Sequence, residues 1–275
     1  MSEQRVPAVL SIAGSDSGGG AGIQADLKAF ARAGVHGMTA VTAITVQNTV
    51  GVEEVQLVSP RVIVGQVRAV AEDIGVDAVK IGMLGTVETV EAVVEALRHV
   101  GEAPVVIDPV MVAESGAVLL EEDAREALVE RLLPLTTVAT PNIPEARALC
   151  GLGEEATQEE LARAVVALGP RATVVTGGHS DEVVDVFCED GDVVEISGER
   201  HPDGAAHGSG CTHSSTLAAH LAHGATPLEA ARKARQVTSA AVAAGLRDIG
   251  HGPGPVDVFN LTASATSMRR PRSSE

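Results

Sequence analysis

The sequence predicts an α/β fold, with a central, mostly parallel β-sheet sandwiched between helices in a single domain. Three observations predict it. Short apolar runs of strand length alternate with segments of helical periodicity along most of the 275 residues. Glycine-rich or polar turns follow the apolar runs, as happens where ligands lie above the carboxyl ends of parallel strands. No repeat or linker interrupts the alternation, and 45% hydrophobic residues suffice for one large core.

Pro7 to Ala13 reads as a buried strand running into the loop Gly14-Ser15-Asp16-Ser17-Gly18-Gly19-Gly20-Ala21-Gly22, followed by a helix from Ile23 to Ala33. The loop is neither a Walker A sequence, since Gly-Lys-Ser/Thr occurs nowhere in the chain, nor a dinucleotide fingerprint. It is therefore expected to cradle another ligand. Asp16 and Asp26 are its polar groups, or only a turn former and a helix-surface carboxylate. Strands follow at His36 to Val46 and Val52 to Val58, leaving Gln47 at a strand end beside the first loop. Its amide both donates and accepts, which suits a polar ligand edge or merely caps a turn.

The alternation then continues with a helix over Arg61 to Ile74, a strand over Asp77 to Ile81 and a helix over Val87 to Val100. Pro104 to Ile107 is a strand ending in Asp108-Pro109-Val110-Met111, and Glu121 to Leu133 a helix. A strand over Thr137 to Ala139 leads into Pro141-Asn142-Ile143-Pro144-Glu145, which opens a helix to Cys150. A helix over Thr157 to Leu168 and a strand over Ala172 to Val175 end in Thr176-Gly177-Gly178-His179. Val183 to Cys188 and Val193 to Ser197 form a hairpin through Asp190-Gly191. Helices over Gly210 to His223 and Pro227 to Leu246 complete the fold, and the turn from Gly250 to Pro255 is placed to return the chain to the site. Residues 1–6 read as an extension, 7–260 as the domain and 261–275 as a frayed tail.

The formal charge of −17 repels phosphate backbones and anionic lipids, so neither nucleic acid nor a membrane is an expected partner. Aromatic residues are confined to three Phe, which removes stacking on aromatic platforms. Lysine occurs only at 28, 80 and 233, and the acidic residues are dispersed. That balance fits a halophilic protein, or an arginine-rich acidic one from a GC-rich genome. Cysteines at 150, 188 and 211 form neither a disulfide framework nor a metal spacing. With no signal-like start and no apolar run of spanning length, the expectation is a cytoplasmic protein.

The stretch that organises the chain is His207-Gly208-Ser209-Gly210-Cys211-Thr212-His213-Ser214. Gly208 and Gly210 let backbone N–H groups converge where a helix begins with unpaired donors and a positive dipole end, which makes an anion site. A thiol on that first turn feels the same field, which favours a thiolate near neutral pH. The alternative is a corner-turning loop with a packed cysteine.

Taken together and in this order, the loop over residues 13–26, Gln47-Asn48, Lys80-Ile81-Gly82-Met83-Leu84, Asp108-Pro109-Val110-Met111, Asn142-Ile143-Pro144-Glu145, Gly177-Gly178-His179 and residues 207–212 closely resemble the hydroxymethylpyrimidine and phosphomethylpyrimidine kinases of thiamine biosynthesis. That family belongs to the ribokinase-like superfamily, and the resemblance runs from Pro7 to Val256. It implies ATP- and Mg2+-dependent phosphorylation of 4-amino-5-hydroxymethyl-2-methylpyrimidine and then of its monophosphate, by a homodimer. Carried onto matching positions, it implies that Gly14, Ala21, Asp26, Gln47, Met83 and Val110 line the pyrimidine pocket, with Gln47 pairing to the aminopyrimidine edge. Glu145 and Asp108 would attend the metal, Asn142, Thr176 and Gly178 the nucleotide, and Gly208, Ser209, Gly210 and Cys211 the transferring phosphoryl group.

Two positions depart from the pattern. Relatives often carry Lys where Thr176 stands, so a phosphate contact lacks its charge unless an arginine or bound cation compensates. His213 replaces an apolar residue and reads as a satisfied helix histidine, or else as a nucleotide contact. The loops Val112 to Gly116 and Gly198 to Ala206 are candidates to close over the ligand. The rival functions are a pyridoxine or pyridoxal kinase on the same scaffold, and a non-catalytic pyrimidine-phosphate sensor.

Overall fold

The computed structural model describes residues 5–113, 116–178 and 183–261. Apolar alternation builds one nine-stranded sheet: β1 (Ala8–Asp16), β2 (His36–Gln47), β3 (Val52–Leu57), β4 (Ala78–Ile81), β5 (Val105–Ile107), β6 (Val138–Ala139), β7 (Ala172–Val175), β8 (Val184–Glu189) and β9 (Asp192–Ser197). The spatial order is β3-β2-β1-β4-β5-β6-β7-β8-β9. The six strands from β2 to β7 pair in parallel, while β3 at one edge and β8 and β9 at the other run antiparallel. At the β8–β9 turn, Asp190 and Gly191 both take positive φ (52° and 86°), as a two-residue hairpin turn requires.

Alternate strand residues feed two separate cores. Leu10, Ile12, Ile107 and Val175 pack beneath α2 (Pro60–Asp73), α3 (Val87–Ala96), α4 (Glu122–Ala127), α5 (Ile143–Cys150) and α6 (Gln158–Ala167). Val9, Val106, Val138 and Val174 face the other way, toward α1 (Gly22–Ala33), α7 (Ser209–Ala222) and α8 (Pro227–Ala243). Helices thus cover both faces, and the inner parallel strands β1, β4, β5, β6 and β7 are buried on both sides. The helix expected over Glu121 to Leu133 is α only to Ala127; it continues as a π turn (Leu128–Leu132) and a 3-10 turn (Leu133–Leu135). Pro134 lies in that last turn, where its missing N–H rules out a regular helical bond.

Three connections position the site. Gly14 stands where the β1–β2 register shifts, and a Cβ there would lie 3.2 Å from the Met83 sulfur. The turn 250–255 returns as expected, because His207 bridges to Pro255 and the Val256 N–H donates to the His207 carbonyl. Arg5 pairs with Asp77 ahead of β1. His179, Glu114 and Ser115, along with residues 1–4 and 262–275, lie outside the described residues.

Candidate active site

A cavity of about 500 Å3 opens above the carboxyl ends of the parallel strands. Its wall brings together Gly14, Ala21, Gln47, Met83 and Val110, then Asp108, Asn142, Glu145, Thr176 and Gly178, and then Gly208, Ser209, Gly210 and Cys211. Residues as far apart in sequence as Gly14 and Cys211 therefore meet at one cavity, as the order of loops implied.

Asp26 is the exception. It lies on the inner face of α1, wholly buried behind the cavity, and does not line it. Its carboxylate accepts hydrogen bonds from Ser11 Oγ (2.6 Å) and Ser215 Oγ (2.7 Å) and pairs with Lys80 Nζ at 2.9 Å. The residue that reaches the cavity is Lys80, which sequence reasoning left without a role. Burial works against its charge, but Asp26, with a smaller contribution from Asp108, holds the ammonium above the usual lysine range. A cation is thus fixed beside the site.

The first glycine loop is also filled from within. The Asp16 carboxylate accepts from the N–H groups of Gly18 (2.8 Å), Gly20 (2.9 Å) and Ala21 (2.8 Å), so the donors expected to cradle a ligand are occupied by the loop's own side chain. Burial opposes ionisation, yet these bonds and His207 Nε2 at 3.4 Å keep Asp16 below the ordinary carboxylate range. The second loop packs directly on the first. Gly208 has φ +80°, and a Cβ on it would collide with the Gly20 carbonyl oxygen.

At the start of α7, the Ser209 N–H donates to Ala206 O and the Thr212 N–H to Gly208 O. The N–H groups of Gly210 and Cys211 find no acceptor among the described residues. Of the three residues that begin α7 after its N-cap Gly208, this pair keeps its N–H groups open and offers an anion hole. The helix-start field does not make Cys211 a thiolate. Burial pushes its thiol up to about 12; the Lys80 ammonium and the Gly22 N–H pull it down, while Asp26 and Asp108 push it further up. The thiol is therefore protonated at neutral pH, against the sequence expectation.

Asp108 receives Ser214 Oγ at 3.2 Å and lies near Gly210. Burial raises its carboxyl, and Lys80 opposes the rise. Asn142 and Glu145 form a capping box at the start of α5, each side chain bonding the other's backbone N–H at 2.8 Å. That box fixes the Glu145 carboxyl at the cavity, where burial and then the charge of Asp108 push it up to about 8. Two buried carboxyls on one cavity wall, one raised by the charge of the other, suit a divalent cation. Two protein oxygens, without a third ligand, match the way Mg2+ keeps water and substrate phosphates for the rest of its shell. Among the described residues no group of three or more His, Cys, Asp and Glu forms a closed metal site.

Gln47 is held through its backbone by Ser17, and its Oε1 accepts from Thr45 Oγ1 at 3.1 Å. Its Nε2 makes no hydrogen bond among the described residues, so the amide is available to a ligand. His213 is not a satisfied helix histidine. It is buried and lines the cavity, neither ring nitrogen has a hydrogen-bond partner among the described residues, and Nε2 stands 3.7 Å from Asp185 Oδ2. Burial and then Arg235 lower its pKa, Asp185 opposes them, and the ring is neutral at pH 7.

A model of the phosphomethylpyrimidine kinase family matches residues 16–257, almost the whole described domain. The chain belongs to that family. It is 47% identical over 257 residues to the hydroxymethylpyrimidine/phosphomethylpyrimidine kinase of Rhizobium meliloti, covering 91% of this chain and 96% of the relative. The solved ADP complex of Bacillus subtilis pyridoxal kinase superposes with a TM-score of 0.86 at 37% identity, over 94% of this chain and 99% of the other. The phosphomethylpyrimidine kinase of Clostridium difficile gives 0.74 at 38% identity, over 84% and 97%. These likenesses confirm the ribokinase-like fold and make the chain a kinase. Among the described residues no helix is long and apolar enough to cross a membrane.

Proposed function

We propose that this kinase phosphorylates 4-amino-5-hydroxymethyl-2-methylpyrimidine, and then its monophosphate, with ATP and Mg2+ in thiamine biosynthesis. The observation that carries the reading is the shared cavity, where a small apolar wall carrying the Gln47 amide adjoins two N–H groups at a helix start that have no acceptor among the described residues. Met83 and Val110 supply apolar contact to a methylpyrimidine ring, and Gln47 Nε2 donates to its nitrogen edge. The N–H groups of Gly210 and Cys211 stabilise the transferring phosphoryl oxygens, and Lys80 adds fixed positive charge behind them.

Glu145 and Asp108 would hold Mg2+, which would supply positive charge against the nucleotide phosphates. Phosphoryl transfer asks mainly for positioning and charge, so a protonated Cys211 is compatible with it: the thiol shapes the wall and the backbone donors carry the charge. Asn142, Thr176 and Gly178 border the nucleotide half.

The pyridoxal kinase reading keeps one supporting observation, the superposition on the Bacillus subtilis enzyme. Coupled ADP release separates the two when the pyrimidine, its monophosphate and pyridoxine are offered in turn. Turnover of both pyrimidines supports the proposal, turnover of pyridoxine alone overturns its substrate, and nucleotide binding without turnover of any substrate favours the sensor. Running the assay at low and molar KCl tests the halophilic reading. A cytoplasmic homodimer completes the proposal. Exposed Ile44 and Val46, which share one face of β2, give a second copy an apolar surface to cover, and the mass in solution is the check.

A further inference from the structure

Beyond Thr176 the cavity continues into a wall made by Asp185, His213, Arg235 and Thr238. All four side chains belong to residues more than nine-tenths buried, at 0%, 4%, 8% and 7% exposure. Each carries an atom without a hydrogen-bond partner among the described residues: Asp185 Oδ2, both His213 ring nitrogens, Arg235 Nε and Thr238 Oγ1. Unpaired buried polar atoms are costly, and four such residues on one cavity wall mark a place where a polar ligand completes the bonding.

Charge narrows the ligand. Lys80 and Arg235 are the only lysine and arginine lining the cavity among the described residues, and Lys80 is committed to Asp26 at 2.9 Å. Asn142 and Thr176 are neutral. The Arg235 guanidinium is held loosely: Nη1 stands 3.4 Å from Asp185 Oδ1, and Nη2 donates to Val183 O at 2.9 Å. Asp185 Oδ1 also accepts the Gly177 N–H at 3.0 Å, so the carboxylate is anchored independently of the arginine. Gly198 makes room for the head group, since a Cβ there would run into the guanidinium. In a chain of net charge −17, a polyphosphate needs a local cation, and a guanidinium fork matches phosphate oxygens.

We propose that Arg235 holds the phosphate chain of the nucleotide, supplying from α8 the charge that Thr176 does not, with His213 and Thr238 bonding the same ligand. The proposal rests on the kinase reading, but its test is nucleotide binding, which does not depend on the acceptor. A wrong pyrimidine assignment therefore leaves it standing.

Calorimetric titration with ADP and, separately, with adenosine compares the wild type, Arg235→Gln and the pair Arg235→Gln/Thr176→Lys. Loss of a charged hydrogen bond to phosphate predicts ADP binding weaker by about tenfold or more in Arg235→Gln, with adenosine unchanged and most of the loss recovered by Thr176→Lys. ADP affinity within about twofold of wild type overturns the proposal, as does equal weakening of adenosine or failure of the lysine to rescue. If Arg235→Gln unfolds because Asp185 is left unpaired, Arg235→Gln/Asp185→Asn removes both charges and carries the same comparison.

Discussion

Asp26→Asn separates a buried structural carboxylate from one that touches substrate. The substitution keeps the side-chain shape but removes the charge facing Lys80, whose ammonium is wholly buried and 2.9 Å away. It also leaves Ser11 or Ser215 facing an amide nitrogen where each now donates to a carboxylate oxygen. Removing one partner of a buried pair costs about 3–5 kcal/mol, because the remaining charge stays desolvated. Asp108 lies close enough to act on Lys80, which favours the lower half of that range. Against a total stability of about 5–15 kcal/mol the loss is large, and it lowers the urea midpoint by roughly 1–2 M. Urea unfolding followed by circular dichroism reads it directly. The pair Asp26→Leu/Lys80→Met, which removes both charges, recovers much of the loss. A midpoint for Asp26→Asn within about 0.3 M of wild type, combined with a raised KM for the pyrimidine, would refute the reasoning and return Asp26 to the pocket.

Three further outcomes follow from the site. Cys211→Ser keeps turnover within about tenfold, and the wild-type pH–rate profile shows no step from a thiol between pH 6 and 9, since that thiol is pushed up to about 12. With Glu145 at about 8 against an ordinary 4.5, the folded protein holds a proton that the unfolded chain has released. Stability therefore falls as pH rises from 4.5 to 8, and Glu145→Gln flattens that slope in pH-dependent melts; a slope unchanged by the substitution contradicts the assignment. Gly208→Ala forces a side chain into φ +80° and against the Gly20 carbonyl, so it destabilises by about 1–3 kcal/mol or separates the two loops. A melt and ADP titration matching wild type would show that the loops do not need this contact.

The fold was legible because its signals are local. Strand runs and helical periods fixed the elements to within a few residues, and Asp190-Gly191 announced its hairpin. Turns after parallel strands must gather at one edge, so the gathering of residues at the cavity also followed from order alone. What escaped depends on which way a side chain points and what covers it. Asp26 occupies an early helical position that reads equally as surface or ligand contact; only packing of α1 on β1 and β4 turns it toward Lys80, 54 positions later. At Cys211 the helix start predicts a low pKa, but burial beside two carboxylates outweighs it. Arg235 reads as a solvated helix cation until the β8–β9 edge folds over it.

The two cavity cations share a design that bears on salt. Each is buried and set against a buried carboxylate: Lys80 against Asp26, Arg235 against Asp185. Lys80 lies behind the helix start of α7, and Arg235 on α8 beyond Thr176, so positive charge sits at two separated points of one cavity. A surface cation in so acidic a chain would be neutralised by neighbouring carboxylates and screened over about 10 Å at 0.1 M salt and about 3 Å at 1 M. Buried pairs are screened much less, so molar KCl weakens repulsion between the dispersed surface carboxylates while leaving the cavity charges in place. On this argument, nucleotide affinity should depend on salt far less than the net charge of −17 suggests.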